Sequence, residues 1–444
     1  MSEQRALLQE SVLAAGVMNN YTSGKLYGCI SQVDSAGTVH AGVVKTLPGG
    51  NYFEGHDARV LNFLKGSEYK ALVVDYTYGT SSLYGIFDPA ANGVWGTPVV
   101  RTNTNWDINN PYSIVTNGND MFLMGYDGVD IIKVDLTTFN AASGNPFFTY
   151  TPLAGKQGHG VDMDAVEIDG TLYLAALFIN AEGYSNYGNS QLVLVDAATG
   201  DLFETIDLNA NANSIAIAAD KFAYVTSFGG VQQPGGNATS QLEVVDLSIP
   251  EVTQTIGMVT PVTDGDYVDI ALVGANAYVL TANFDANYQF YTYRLVKTTQ
   301  AFLKGGSFGT VPDVDYSTYT QNLIPSGATW LLAYDGIVLW FVRATEIYTI
   351  DTSVNVSSAA LTKRADATLY NATTNPQGLG IDDPHEVYGQ LNTAAVVIPA
   401  ASAAPRAFAR GASHTKHAKV MLPPEELEKF KAAAVQAAAA QEKK

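Results

Sequence analysis

The chain of 444 residues contains one cysteine, Cys29, few basic residues and no long apolar run. A single cysteine excludes an intramolecular disulfide and any cysteine-based metal cluster. No apolar stretch approaches the ~18 residues of a membrane-spanning helix, so no transmembrane segment is predicted. The 24 Lys and Arg residues against 43 Asp and Glu residues give a net charge of -19. A nucleic-acid-binding protein needs a basic face for phosphates, so the acidic composition argues against a nucleic-acid partner.

The N-terminal residues also lack a targeting signal. Met1 to Asn20 show neither the basic start nor the apolar centre of a signal peptide. Four apolar residues of this segment fall on one face of a helix, namely Leu7, Leu8, Val12 and Leu13. Residues 1–21 are therefore predicted to form a helical N-terminal arm.

A short apolar strand that ends in aspartate recurs along the chain. Its clearest copies are Gln191 to Asp196 (QLVLVD) and Gln241 to Asp246 (QLEVVD). Weaker copies lie at residues 83–88, 130–135 and 346–351, and residues 291–297 fit with Lys297 in place of the aspartate. The copies follow one another at intervals of about 50 residues, which is typical of β-propeller blades.

The repeat predicts an all-β fold, a seven-bladed β-propeller. Six blades are predicted within the chain, at residues 55–101, 109–152, 158–208, 211–259, 264–312 and 326–366. The first β pattern of the chain, residues 22–47, matches only the outer half of a blade. Residues 375–400 supply two further candidate strands, Gly378 to Ile381 and Thr393 to Pro399. We expect the last blade to be closed by both termini, with two strands from each, because closure removes open strand edges.

Three stretches carry a resemblance to a known family. Tyr224-Val225-Thr226-Ser227, followed by residues 242–246, resembles the YVTN family of seven-bladed propellers, as does Tyr278 to Asn283 (YVLTAN). The similarity covers roughly residues 22–400. It implies an exported protein, extracellular or periplasmic. Family members include proteins without known activity as well as lactonase-like and lyase-like relatives, so the resemblance assigns no catalytic residue.

The composition changes after about residue 400. Residues 401–412 form an Ala/Pro/Ser linker, a basic stretch follows at 414–419, and Pro423 begins a predicted helix that runs through Ala440. This C-terminal helical tail has only a narrow apolar stripe and is marginal alone. Residues 413–441 are either a docking arm for a partner protein or for copies of the same chain, or a solvated end.

Each predicted blade offers a polar side chain just before its innermost strand, at one rim of the central channel. The candidate ligand-binding residues at this channel rim are His56, Asp57, Asn110, His159, Asp162, Asn213, Asp266 and Gln377. Convergent polar groups in a concavity are typical of a binding site. The alternative is that these residues cap strand ends and bind water in the channel.

His56 and His159 are the most specific candidates for a functional pair, because they occupy equivalent positions in two blades. With Asp57, Asp162 or Asp266 they are candidates for binding a divalent cation, or for a base with its orienting group. No catalytic motif and no resident cofactor is predicted, since the sequence contains no nucleophile elbow, phosphate-binding loop or dinucleotide fingerprint. The cation remains an open alternative.

The loops are rich in aromatic residues. The segment Asn180 to Asn189 combines tyrosine, asparagine and glycine, which suits contact with carbohydrate, another small ligand or protein, although it fits a long β-hairpin equally well. The function predicted from sequence is a non-catalytic propeller scaffold that binds a ligand or partner, as a cell-surface or self-assembling protein. The alternative is a lactonase- or lyase-like enzyme with His56 and His159 at the channel mouth.

Overall fold

The structure is a computed structural model. It describes a large part of the chain, in the following segments: residues 11–20, 25–34, 39–43, 57–65, 68–76, 83–87, 99–108, 110–183, 186–231, 238–257, 266–284, 291–309, 315–321, 329–334, 338–343, 346–351, 361–365, 390–397 and 415–417. Nearly all of these residues lie in antiparallel strands or in the turns between them. None of the helices within these segments has the length and apolar character that spanning a bilayer requires.

The strands follow one another in groups along the chain. The first group is β1 (Ser11–Asn20), β2 (Lys25–Asp34) and β3 (Val39–Val43). Sheet one contains β4 (Asp57–Lys65), β5 (Glu68–Tyr76), β6 (Leu83–Phe87) and β7 (Val99–Thr102). After the short helix α1 (Asn103–Trp106), sheet two contains β8 (Pro111–Asn117), β9 (Asp120–Gly125), β10 (Asp130–Asp135), β11 (Asn140–Ala141) and β12 (Phe148–Thr149).

Four-stranded sheets make up the next part of the chain. Sheet three contains β13 (Gln157–Ile168), β14 (Thr171–Glu182), β15 (Asn186–Asp196) and β16 (Leu202–Ala210). Sheet four contains β17 (Ala212–Ile217), β18 (Phe222–Ser227), β19 (Gln241–Asp246) and β20 (Glu251–Gly257). Sheet five contains β21 (Asp266–Val273), β22 (Asn276–Phe284), β23 (Tyr291–Thr299) and, after α2 (Gln300–Lys304), β24 (Asp315–Gln321).

Sheet six and the closing sheet complete the described strands. Sheet six contains β25 (Thr329–Tyr334), β26 (Val338–Arg343), β27 (Glu346–Asp351) and β28 (Leu361–Ala365). The last strands are β29 (Gln390–Val397) and β30 (Thr415–His417), which join the first group in the closing sheet, in the order β3-β2-β1-β29-β30.

The sheets are arranged in a ring. The first strands of sheets one to six contact one another in chain order, and β29 contacts both β25 and β4, so that the ring of inner strands is continuous. Sheets packed around an axis in this way, each with its first strand innermost, form a β-propeller. The predicted all-β propeller class is therefore confirmed.

The closing sheet is built from both ends of the chain, as predicted, but in different proportions. β1 pairs with β2 along its whole length on one side and with β29 on the other. The predicted helical arm at residues 1–20 is therefore wrong for Ser11–Asn20, which form a strand, because pairing on both edges overrides a weak helical periodicity. The N-terminal side supplies three strands rather than two. The predicted inner strand at residues 378–381 lies outside the described residues.

Part of the C-terminal tail also belongs to the closing sheet. β30 pairs antiparallel with β29, through Thr393 and His417, on the side of β29 that faces away from β1. Within the predicted arm at residues 413–441, Thr415–His417 thus form a strand. The predicted linker and the helix after Pro423 lie outside the described residues.

The hydrophobic core lies between successive sheets. In β9, the side chain of Leu123 packs in a cluster shared with sheet one, whereas Phe122 and Met124 pack in a cluster shared with sheet three. Both faces of such a strand are buried, because neighbouring residues point to opposite faces and each face meets another sheet. This explains why the repeated strands are continuously apolar instead of alternating.

The recurrent aspartate at the strand end is a turn residue. Asp196 Oδ1 accepts a hydrogen bond from the backbone N–H of Ala198 at 2.7 Å, and Asp246 Oδ1 accepts one from Ser248 N at 2.9 Å. Asp135 bonds in the same way to Thr137 N at 2.7 Å. Side-chain bonds of this kind close tight turns, so the repeated aspartate shapes the hairpin between the third and fourth strands.

Candidate functional site

Four consecutive inner strands begin with the same irregularity. In each of β8, β13, β17 and β21 the register with the second strand shifts by one residue, which marks a β-bulge. The residues that immediately follow the bulge are, in chain order, Ser113, Asp162, Ser214 and Asp269. Serine and aspartate thus alternate at one position around this part of the ring.

These four side chains connect neighbouring inner strands. Ser113 Oγ donates to Asp162 Oδ1 at 3.3 Å, and Ser214 Oγ donates to Asp269 Oδ1 at 2.7 Å. Between these two pairs, the backbone N–H of Ile215 donates to Asp162 Oδ2 at 3.2 Å. All four side chains are buried. Hydrogen bonds to buried carboxylates are strong, so they fix the relative height of sheets two to five.

Two residues predicted to bind a ligand serve in this structural network. Both carboxylate oxygens of Asp162 accept hydrogen bonds from the adjacent inner strands. Asn213, at the bulge of β17, donates from Nδ2 to Tyr267 O at 2.8 Å and accepts from Thr226 Oγ1. Both side chains are almost completely buried. Their hydrogen bonds hold adjacent strands together.

The position three residues before each bulge-following residue is the one predicted to line the channel rim. It is occupied by Asn110, His159, Asn211 and Asp266, which we call the rim residues. Because the bulge-following residues contact one another from strand to strand, the rim residues lie at the same end of the ring. Asn110 and Asn211 have positive φ values of 50° and 55°, a conformation that asparagine tolerates better than most residues. Of these four residues, all but Asn211 are among the candidate ligand-binding residues predicted from the sequence.

His159 is held between two glycines that press its strand against sheet two. A Cβ atom added to Gly158 would lie 2.8 Å from Val129 Cγ1, and one added to Gly160 would lie 2.9 Å from the carbonyl oxygen of Gly125. Neither position has room for a side chain. The sequence Gly-His-Gly therefore brings the backbone of β13 close to sheet two and sets the imidazole above it.

The imidazole of His159 has a defined tautomer. Its Nδ1 lies 2.9 Å from the carbonyl oxygen of Tyr126, which can only accept, so Nδ1 carries the proton and donates. The ring stacks on Tyr126 with centroids 4.8 Å apart, and Tyr126 in turn lies 5.0 Å from the ring of Tyr112. His159 is half-buried. In the neutral form its Nε2 is an acceptor, which suits a hydrogen bond to a ligand.

Tyr126 also brings Asn110 and His159 together. The backbone N–H of Tyr126 donates to Asn110 O at 3.0 Å, while its carbonyl oxygen accepts from His159. The Nδ2 atom of Asn110 donates to Asp127 Oδ2 at 3.2 Å. Imidazole, phenol, amide and carboxylate groups thus converge around one backbone unit. Sequence reasoning missed Tyr126 because its role depends on the turn after β9 and not on a repeat position.

The remaining predicted site residues lie at the starts of other strands or outside the described residues. Asp57 is the first residue of β4 and pairs with Tyr76. Asp266 is buried at the start of β21. His56 and Gln377 lie outside the described residues. Among the described residues, no group of three or more His, Cys, Asp or Glu side chains is arranged to hold a metal ion.

Within the segment Asn180 to Asn189, the described residues 180–183 and 186–189 form the end of a long hairpin of β14 and β15. Glu182 pairs with Asn186 across the turn, and Asn180 Nδ2 donates to the carbonyl oxygen of Asn189 at 2.8 Å. The Oδ1 atom of Asn180 also accepts from the hydroxyl of Tyr150 at 3.0 Å. Burial raises the pKa of Tyr150, so this hydroxyl acts as a neutral donor. The side chain of Asn180 therefore stabilises the hairpin.

A second group that the sequence analysis missed is Glu243 in β19. Its side chain is only 5% exposed, and burial raises its pKa to about 7, while the hydrogen bond from Asn209 N at 2.8 Å acts in the opposite direction. Buried acids with raised pKa values are enriched at functional sites. The sequence does contain a signal for this residue: Glu243 is an acid within an otherwise apolar strand, at the position where the preceding copy of the repeat has Val193.

Comparisons with known proteins give distant structural similarity and nothing closer. No family model matches the chain, and no curated protein matches it. Hydrazine synthase of Kuenenia stuttgartiensis is 14% identical, with 70% of this chain and 79% of that chain covered and a TM-score of 0.47. A functionally unknown protein of Desulfotomaculum acetoxidans is 13% identical, with 80% and 96% covered and a TM-score of 0.46.

The β-propeller domain of Cps50 (Swd1) from Myceliophteria thermophila is a further similar structure. It is 12% identical, with 69% of this chain and 86% of that chain covered and a TM-score of 0.40. All three TM-scores are below 0.5. The propeller assignment therefore rests on the strand pairing described above, and no activity follows from these similarities.

Proposed function

We propose that this protein is a non-catalytic, seven-bladed propeller of the YVTN type that binds a ligand or partner at the rim residues around His159. The observation that carries the proposal is the fixed imidazole, whose Nδ1 donates to Tyr126 O at 2.9 Å and whose ring stacks on Tyr126. This leaves Nε2 as the ring nitrogen available to a ligand. A preorganised acceptor on a rigid strand is a suitable element of a binding site.

The hydrogen bonds of the neighbouring polar residues support binding over catalysis. A histidine base in acyl transfer is oriented by a carboxylate and faces a nucleophile. Here a backbone carbonyl orients His159, while the nearby carboxylate of Asp162 accepts from Ser113 and Ile215. The rim thus resembles a recognition surface more than a charge-relay system.

One feature favours the enzymatic alternative. A neutral imidazole with a free acceptor nitrogen is also suited to abstract a proton, which is the first step of lyase chemistry and of water activation in lactone hydrolysis. The second candidate function is therefore a lactonase- or lyase-like activity at the same histidine, together with His56. Any test must measure turnover as well as binding.

The ligand class we propose is carbohydrate, with a protein partner as the alternative. The half-buried, mutually stacked rings of Tyr126 and His159 and the exposed carboxylate of Asp127 provide the apolar faces and planar polar groups that sugars require. A divalent cation at the rim, with His56 as a further ligand, is a third proposal. Location outside the cytoplasm, in the periplasm or at the cell surface, follows from the family resemblance alone, and assembly through residues 413–441 also remains a proposal.

The experiment combines a binding screen with a turnover screen. Neutral and acidic oligosaccharides, calcium and manganese chloride, lactones and sugar acids are tested on the wild type, on His159→Phe and on Asp201→Ala. Phenylalanine retains a ring for the stack on Tyr126 but lacks nitrogen, and Asp201 is an exposed residue in the loop between β15 and β16. We expect one oligosaccharide class to bind the wild type and Asp201→Ala, at least tenfold weaker binding to His159→Phe, and no turnover.

Three results would contradict the proposal. Turnover of a lactone or sugar acid that disappears in His159→Phe would establish the enzymatic alternative. Equal affinity of wild type and His159→Phe for every bound compound would exclude the rim as the binding site. Cation binding that is lost in His159→Phe would show that this site binds a metal ion and not a carbohydrate.

A further inference from the structure

Glu243 is a buried acid at the junction between sheets three and four. It occupies the third position of β19, where the equivalent residue of sheet three is Val193 in β15. Because valine fills this position in the neighbouring sheet, packing alone does not require a carboxyl group here. The glutamate is 5% exposed.

The partner of Glu243 is supplied by a bulge in the outer strand of sheet three. Leu208 and Ala210 pair with Ser190 and Asn189 of β15, so that Asn209 is the extra residue without a place in the ladder. Its backbone N–H is turned away from β15 and donates to Glu243 Oε2 at 2.8 Å. A bulge frees one N–H in this way, and the carboxyl group accepts it across the boundary between the sheets.

Asn209 extends the contact further. Its Nδ2 donates to Ser227 Oγ at 2.7 Å. The hydroxyl of Ser240 donates to Ser227 O at 2.7 Å and accepts from the backbone N–H of Tyr267, the second residue of β21, at 2.9 Å. Glu243 therefore lies at one end of a chain of hydrogen bonds that joins sheets three, four and five.

The strands packed around Glu243 provide no positive charge. In β16 to β20 there is no lysine, arginine or histidine. The other titratable side chains on these strands are four acids and one tyrosine, namely Glu204, Asp207, Asp246, Glu251 and Tyr224. Burial raises the pKa of Glu243 to about 7, because an ionised carboxylate in an apolar junction without a cation is unfavourable.

The same junction is continuous with the rim. Asn211 follows Asn209 by two residues, and its Nδ2 donates to Gly230 O at 2.6 Å. The segment after β18 is thus held at Asn211, and Thr239 O, before β19, accepts from Asn209 Nδ2 at 2.8 Å. Release of Asn209 would therefore loosen the rim residue Asn211 together with the loop ends at Gly230 and Thr239.

We propose that Glu243 makes the contact between sheets three and four pH-dependent: the neutral acid stays buried with Asn209, whereas the carboxylate leaves the junction for water and releases Asn209. This is a conformational device that does not depend on the proposed carbohydrate site. It acts at an acid that is 5% exposed and that stands where the preceding copy of the repeat has Val193. The released state exposes the N–H groups of residues 209–211 to solvent.

The test is hydrogen–deuterium exchange of the full chain between pH 5.5 and pH 8.5, corrected for the intrinsic exchange rate. In the wild type we expect the opening of peptides around residues 205–213 to increase roughly thirty-fold over this range, as proton linkage requires for a carboxyl group with these two environments. Glu243→Gln should show no such increase. Glu204→Gln, an exposed acid on the adjacent strand, should behave as the wild type does.

A second variant at residue 243 keeps the test decisive even where Glu243→Gln does not fold. Glu243→Val introduces the residue that the preceding sheet uses at this position, and it should also remove the pH dependence. The proposal is overturned if the wild type shows constant protection across the pH range. It is equally overturned if the variants at residue 243 retain the wild-type pH dependence.

Discussion

The Oγ atom of Ser214 lies 2.7 Å from Oδ1 of Asp269, across the boundary between sheets four and five. The same relationship joins Ser113 and Asp162, two sheets earlier, at 3.3 Å. Each aspartate begins the regular part of its inner strand directly after a bulge. The serine donors and aspartate acceptors therefore fix the position of sheets two to five along the axis of the ring. As a result, the rim residues of these sheets lie at the same height.

The first prediction concerns Asp162. Asp162→Ala removes an acceptor of three hydrogen bonds, from Ser113 Oγ and from the backbone N–H groups of Met163 and Ile215. The buried N–H of Ile215 then loses its carboxylate, and we expect a loss of about 2 to 4 kcal/mol in the free energy of unfolding. Urea denaturation measures this loss. Asp201→Ala, which removes an exposed aspartate, should change stability by less than about 0.5 kcal/mol.

The second prediction concerns the glycine after His159. The Cβ atom of Gly160→Ala would lie 2.8 Å from Met124 Sδ and 2.9 Å from Gly125 O, so β13 must move away from sheet two. We expect a loss of about 1 to 3 kcal/mol and weaker ligand binding at His159. Gly257→Ala is the control because nothing lies within 4 Å of its added Cβ. Equal melting temperatures for the two variants would show that the backbone of β13 is not held in place by this contact.

The third prediction is a pH dependence of stability. Burial raises the pKa of Glu243 from its usual 4.5 to about 7. The neutral side chain is favoured in the folded protein, so its contribution is fully present below pH 4.5 and is lost as the pH rises through 7. The loss amounts to about 3 kcal/mol at pH 8. The stability difference between Glu243→Gln and wild type should therefore shift in favour of the variant by this amount between pH 4 and pH 8. A constant difference would contradict the assignment.

The repeated strands were predictable because their signal is local. The phrases that end in Asp196 and Asp246 form β15 and β19, and the aspartates close the turns that follow them. The prediction of a helix for Ser11–Asn20 is wrong because β2 and β29 pair with both edges of this segment, and its weak helical periodicity carries no signal of that pairing. Only its two partner strands, which are distant in sequence, determine its conformation.

The site was predictable in part. Asn110, His159 and Asp266 were identified as equivalent residues, and the structure places them at the starts of three inner strands. The role of Asp162 was not predictable, because a bulge of one residue changes which face a side chain occupies. Glu243 was visible in the sequence as an acid in an apolar phrase, but its burial is created by the adjacent sheet.

The fourth prediction concerns ring closure. Truncation after residue 389 removes β29, which lies between β1 and the inner strands β25 and β4. The closing sheet then lacks both β29 and β30, and the ring has open edges on both sides of the gap, so we expect loss of cooperative unfolding or aggregation. Truncation after residue 419 retains β29 and β30 and is the matched control. An unchanged melting transition after the longer truncation would exclude closure by both termini.

The most direct measurement of the proposed function is an experimental density map of the protein with a saturating concentration of the oligosaccharide that binds best in the screen. We predict density for an intact sugar within hydrogen-bonding distance of Nε2 of His159, near the side chains of Tyr126 and Asp127. Density for the sugar at another surface, with the surroundings of His159 unchanged, would contradict the account. A cleaved product at His159 would show that the rim is an active site.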